Sequence, residues 1–168
     1  MRILIEANGV VTPYLTRMVN PVCEVFLTDS HIAAPAESVP GETGAVVDFW
    51  GVVRGLEGNA EITGIEYEAN RAMAEYQLRA IAEEAAITFE LKQIIICHRI
   101  GFVATGEASL LVRVGTGHRA AAFRAIEEVV DELKRRAPIW KHPQFRVGSS
   151  GESGARSSSL VLADSPPA

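Results

Sequence analysis

The chain has 168 residues, 48% hydrophobic and 22% charged, which fits one domain with a real core plus an extra segment. A formal charge of −5 and a pI near 5.4 exclude general nucleic-acid binding, which wants a basic face, so any basic site is local. Two cysteines, Cys23 and Cys97, stand far apart and outside any CxxC or zinc-type spacing, so neither a disulfide framework nor a metal site is expected.

No charged segment followed by a long apolar run opens the sequence, and no run is long enough to span a bilayer, so the expected location is cytoplasmic. Residues 1–21 are weakly patterned, with Asn8-Gly9 and Pro13 as breakers and a short strand at best over residues 2–6. Residues 22–28 read as a strand, and residues 33–42, with Pro35, Pro40 and Gly41, as a loop or short helical turn. Residues 44–54 (GAVVDFWGVVR) are β-branched and aromatic on both faces, the pattern of a buried strand ending in a charge. A glycine-containing loop over 55–59 leads to residues 62–69, which alternate with Ile65, Tyr67 and Ala69 on one face and Glu66 and Glu68 on the other.

Asn70 is placed to cap a helix over 71–87, with Ala74, Leu78, Ile81 and Ala85 as its core stripe. Residues 93–100 form a central strand and 109–115 another, with Leu110, Val112 and Val114 inward and a turn over 101–107 between them. A second helix starts at His118-Arg119, and Phe123, Ile126, Val130, Leu133 and Ala137 follow Arg119 along one apolar stripe. Lys134 flanks that stripe while Arg135 points to solvent. Pro138 stops the helix, and a short extended piece around Trp140 completes the set.

From residue 62 the order is β-α-β-β-α-β, the split arrangement of an α+β sandwich resembling an α/β hammerhead, with the earlier strands adding a small antiparallel sheet. Residues 1–146 are read as one domain and 147–168, rich in serine and glycine, as a flexible tail.

The chemistry lies in cations at element ends: Arg54, His98-Arg99, His118-Arg119, Lys134 and Lys141. In an acidic chain, that concentration points to an anionic small molecule or an anionic peptide terminus. Arg119 in the first helical turn, on the apolar face, suits a phosphate or carboxylate at the positive end of the helix. The plainer readings are that Arg119 pairs with a core carboxylate or lies at a subunit interface, and that Lys134 covers the core with its stem and keeps its ammonium in water. Arg119 and Lys134 are about 22 Å apart at 1.5 Å per residue, so one small substrate can hardly touch both. If both serve active sites, a symmetric dimer is the simplest arrangement. No carboxylate pair, Ser-His-Asp set, P-loop or metal cluster accompanies them, and Gly115-Thr116-Gly117 resembles a phosphate cradle only weakly.

Taken together, GAVVDFWGVVR, Tyr67-Glu68, His98 to Gly101 (HRIG), Gly117 to Phe123 (GHRAAAF) and the run from Lys134 to PIWK at Lys141 resemble the catalytic large subunit of molybdopterin synthase. The resemblance covers residues 22–141, with the blocks in the family's order and spacing. It implies a cytoplasmic enzyme of molybdenum cofactor biosynthesis that puts two sulfurs into cyclic pyranopterin monophosphate to form the dithiolene of molybdopterin. No permanently bound cofactor or metal is implied. The sulfur would come as a thiocarboxylate on the C-terminal Gly-Gly of a small ubiquitin-like partner, within a heterotetramer built on a homodimer of this chain.

By the same resemblance, Lys134 and Lys141 match the catalytic lysines. Phe49, Val52, Val53 and Arg54 match positions lining the pocket, and His118 and Arg119 match the pair that reaches across the dimer to the substrate phosphate. His142 and Pro143 extend the substrate-binding set, although the family usually has a basic residue and a glutamate there, followed by a glycine and a tryptophan-containing strand. The alternative is a non-catalytic α+β module that uses the same cations to bind an anionic metabolite.

Overall fold

Two sheets share one core with two helices in the computed structural model, which describes residues 21–35 and 39–146. The strand expected at 2–6 and the tail 147–168 lie outside the described residues. The larger sheet comprises β1 (Val22–Thr28), β2 (Ala45–Val52), β5 (Gln93–Arg99) and β7 (Ala108–Thr116), in the order β1-β5-β7-β2. The smaller one joins β3 (Leu56–Glu57), β4 (Ala60–Ala69), β6 (Gly101–Ala104) and β8 (Ile139–Phe145) around β4.

The α+β class with two sheets agrees with the sequence, but the strands are shared out differently. The early strands β1 and β2 flank the central pair instead of forming a sheet of their own: β1 runs parallel to β5 and β2 antiparallel to β7. The smaller sheet is built from later segments, two of them read as loops. Residues 55–59 contain β3, and 101–107 contain β6, paired with β4 from Gly64↔Ala104 to Tyr67↔Gly101. Gly64 leaves room for that ladder, because a Cβ there would sit 2.5 Å from the Val103 carbonyl oxygen and the Phe102 ring.

β2 is an edge strand, not one buried on both faces. Its residues alternate between half-buried and exposed, with Phe49 against the core while Val46, Trp50 and Val52 are 40%, 37% and 50% exposed. An apolar pattern on both faces marks either a central strand or an edge strand whose outer face is uncovered, and the pattern alone does not separate them.

Helix α1 (Arg71–Thr88) follows its expected register, with Asn70 accepting a hydrogen bond from the Met73 backbone N–H at 3.1 Å and with Ala74, Leu78, Ile81 and Ala85 buried. Helix α2 (Arg119–Arg136) is turned on its axis by roughly 50° from the stripe drawn through Arg119 and Phe123. Ala122, Ala125, Val129, Val130 and Leu133 are buried; Arg119 is exposed and Phe123 is 62% exposed. Alanines at 122 and 125 let the helix lie close to the sheet, where a phenylalanine would hold it off. Lys134, Arg135 and Arg136 fill the last turn, favourable against the negative end of the helix. Ala137 then turns extended (ψ 124°) before Pro138, and β8 runs on through Phe145, four residues past Lys141.

Candidate active site

Arg54, Lys134 and Lys141, which lie far apart in sequence, line one cavity of about 240 Å³ between the end of β2, α2 and the smaller sheet. Each is placed by a different element. The β2 ladder slips between Gly51 and Val52, and the following residues are held by the next turn: the Val53 N–H donates to the Glu107 carbonyl at 3.0 Å and the Gly106 N–H to that of Val53 at 2.8 Å. Phe49, Val52 and Val53 line the cavity beside Arg54. Lys134 enters from the last turn of α2, next to Val130. Lys141 comes from β8, opposite Tyr67 on β4.

Apolar residues, three cations and one carboxylate line the cavity together. Lys141 Nζ donates to Glu57 Oε1 at 2.8 Å, and the two side chains are 18% and 29% exposed. Lys134 has no ion pair among the described residues. The Tyr67 hydroxyl bonds Ser109 Oγ at 3.2 Å, and Ser109 donates to the Gly51 carbonyl at 3.3 Å, tying β4, β7 and β2 together beneath the cavity. Burial pushes the Tyr67 phenol above its ordinary range, so it stays neutral.

His118 and Arg119 are not part of this cavity within one chain. Both are exposed at the far end of α2, where His118 caps the helix without a side-chain hydrogen bond and Thr116 Oγ1 donates to its carbonyl at 2.8 Å. Gly44 packs on this corner, and the Gly117 carbonyl fills the space a Cβ would need. His142 is exposed and its Nε2 lies 3.3 Å from Glu68 Oε2, while Pro143 is half-buried opposite Ile65; neither lines the cavity.

His98 and Arg99 do not present charge to a ligand, contrary to the expectation from their position at a strand end. Arg99 is 5% exposed and pairs with Glu107 at 2.8 Å, holding that carboxyl below its usual range. His98 is 2% exposed, and burial drives its pKa down to about 4. Its Nδ1 lies 2.6 Å from the Arg99 carbonyl, which only accepts, so Nδ1 carries the proton. Its ring stands edge-on to Tyr67, with centroids 5.2 Å apart. A neutral imidazole behind the cavity wall is a structural group.

Sequence reasoning missed Glu57 and Ser109, and it placed Tyr67 on the apolar face of its strand without giving it a part in the site. Ser109 had a signal, being a hydroxyl at the start of an apolar strand that needs a partner once buried. Glu57 had none, since its partner is 84 positions away. Among the described residues, no group of His, Cys, Asp and Glu is placed to hold a metal ion, and no helix is long and apolar enough to cross a membrane.

The fold and site define a mixed α+β domain in which three cations, Arg54, Lys134 and Lys141, line one small cavity beside two sheets. The chain belongs to the MoaE protein family, whose family model matches residues 26–136. It is 38% identical over 108 residues to the molybdopterin synthase catalytic subunit of Thermoplasma volcanium, covering 64% of this chain and 79% of that one. Other curated relatives, from fungi and mammals, are longer, and the chain spans between 57% and 60% of their length. A crystal structure of molybdopterin synthase from Staphylococcus aureus superimposes with TM-score 0.67 at 30% identity, over 76% of this chain and 96% of that one. A second fold neighbour, at TM-score 0.52 and 24% identity over 64% of this chain and 74% of that one, is a complex of subunits 1 and 2 of the Helicobacter pylori molybdopterin-converting factor.

Proposed function

We propose that this protein is the catalytic subunit of a molybdopterin synthase. It transfers sulfur from the thiocarboxylated C-terminus of a small ubiquitin-like partner to cyclic pyranopterin monophosphate, in the cytoplasm, as a step of molybdenum cofactor biosynthesis. The observation that carries this reading is the convergence of Arg54, Lys134 and Lys141 on one cavity. Both reactants are anions, and fixed cations in a partly water-excluded cavity hold them together and stabilise charge that shifts as sulfur moves. Lys134 and Lys141 act on the reacting sulfur, Phe49, Val52 and Val53 form the apolar wall against the pterin, and Arg54 binds its charged end. The tail of the small subunit enters from the rim, past His142 and Pro143.

The phosphate is completed by His118 and Arg119 of a second copy. Helix α2 has 18 residues, about 27 Å at 1.5 Å per residue, so its two ends cannot serve the same site within one chain. Phe123, 62% exposed beside that pair, supports a covering partner. The free edge of β2 offers a route, because its first residues lie by Gly117 at the start of α2 and its last residues line the cavity. Antiparallel two-fold pairing along this edge carries one chain's His118-Arg119 toward the other's lysines.

The test is sulfur transfer in vitro with purified chain, a thiocarboxylated Gly-Gly partner and the cyclic precursor. Molybdopterin forms with the wild type and is nearly lost with Lys141→Ala. A fully active Lys141→Ala protein would instead favour a non-catalytic module binding an anionic metabolite, for which both lysines are dispensable.

A further inference from the structure

Glu57 occupies a place in the cavity wall that anion binding does not call for. A site that attracts a thiocarboxylate and a phosphate gains from positive charge, and a carboxylate in its wall opposes both. Yet Glu57 is built in firmly. Leu56 pairs with Glu61 and Glu57 with Ala60, and Gly58, at φ +61°, makes the tight turn that returns the chain into β4. Lys141 is set independently by the β8 register opposite Tyr67. Two segments 84 positions apart therefore fix the two ends of one charge-assisted hydrogen bond of 2.8 Å.

The bond selects among the many conformers of a lysine side chain, whose four-carbon stem otherwise loses that freedom only when substrate arrives. The remaining charged groups that line the same cavity are Arg54, from the segment after β2, and Lys134, from α2. Both are cations and repel an ammonium that shares the cavity with them. The Tyr67 hydroxyl, already engaged with Ser109, is neutral and does not offset them.

We propose that Glu57 is a positioning residue for sulfur transfer: it holds the Lys141 ammonium over the cavity and offsets the repulsion among three cations, so that they share one small space. This rests on the function proposed above. Phosphate binding falls to Arg54 and to the His118-Arg119 pair of the second copy, so loss of Glu57 acts on turnover more than on substrate affinity.

The experiment compares Glu57→Ala and Glu57→Gln with wild type in the sulfur-transfer assay, together with the rate at which an amine-reactive ester acylates Lys141 in the chain alone, followed by peptide mass spectrometry. The expected result is a fall in kcat of about 10- to 100-fold for Glu57→Ala, with KM for the precursor within about twofold and partial recovery in Glu57→Gln, which keeps an acceptor without the charge. Acylation of Lys141 rises several-fold in both variants. Labelling needs neither partner nor precursor, so it reports on the pair even if the sulfur-transfer reading fails. Unchanged labelling overturns the proposal, as does a raised KM with unaltered kcat, or faster labelling with wild-type turnover. Should Glu57→Ala fail to fold, the near-isosteric Glu57→Gln carries the same comparison.

Discussion

Tyr67 and Lys141 face each other across the β4–β8 ladder, and this pairing brings the lysine after PIWK to the cavity that Lys134 enters from α2. Pro138 ends the helix between the two lysines and lets the chain reverse into β8. The helix end and the returning strand thus work as one unit, with its two amines on the same cavity.

Removing either amine should affect turnover far more than folding. Lys134→Ala and Lys141→Ala are each expected to lower kcat by about 100-fold or more, the scale of losing a positioned charge or proton-transfer group. Both side chains are only partly buried, so thermal midpoints should stay within a few degrees of wild type. Steady-state kinetics beside a melting curve checks this, and a variant inactive only because it has unfolded would contradict it.

Arg99 should show the opposite behaviour. It is buried, bonded to Glu107 at 2.8 Å and to the Phe102 carbonyl at 3.4 Å, and it does not line the cavity. Arg99→Ala leaves the Glu107 carboxylate, 32% exposed, without its main partner. A clear loss of stability is expected, smaller than for breaking a fully buried pair because Glu107 keeps its water. Urea titration reads it, while kcat per folded molecule should stay near wild type.

His98 gives the fold an acid-sensitive component in a defined window. Its folded pKa of about 4 lies below the ordinary imidazole value of 6.5. A group with a depressed folded pKa contributes stability that is complete above the unfolded value and is lost as pH falls through the folded one. Unfolding free energy should therefore decline from about pH 6.5 towards pH 4, by on the order of 3 kcal/mol. The carboxyls of Glu84, Glu107 and Glu132, all held below their usual range by arginines, add their loss only below about 4.5. Denaturant titrations of His98→Phe at pH 7 and pH 5 should show a flatter dependence than wild type; equal slopes would contradict a neutral buried imidazole.

How far the sequence could be read depended on where the decisive contacts lie. Helix α1 was legible because its cap, Asn70, and its stripe of Leu78 and Ile81 are local signals. Strand β7 was legible because Leu110, Leu111, Val112 and Val114 make a dense apolar run, which the structure buries along almost its whole length. The phase of α2 was misjudged because Phe123 outweighs Ala122 and Ala125 in any hydrophobic count, whereas close helix-to-sheet packing favours the small residues. Strand β6 is short and opens at Gly101, with φ +79°, so it looked like a turn.

Within the site, the cations Arg54, Lys134 and Lys141 were readable as charges at element ends. Their convergence was not, because the strand register that fixes it is tertiary. His98-Arg99 looked like the His118-Arg119 pair in sequence, yet one is buried in the central strand and the other is exposed. Two identical dipeptides separate only once the sheet order is known.

The composite site is tested most directly by a mixed dimer. Lys141→Ala and Arg119→Ala chains, co-expressed with different tags and purified through both, place the two lesions in the same one of two shared sites and leave the other intact. The mixed dimer should recover about half of wild-type sulfur-transfer activity while each mutant homodimer stays at a few per cent or less. A mixed dimer no more active than the mean of the two homodimers would contradict a site assembled from the lysines of one chain and the His118-Arg119 pair of the other.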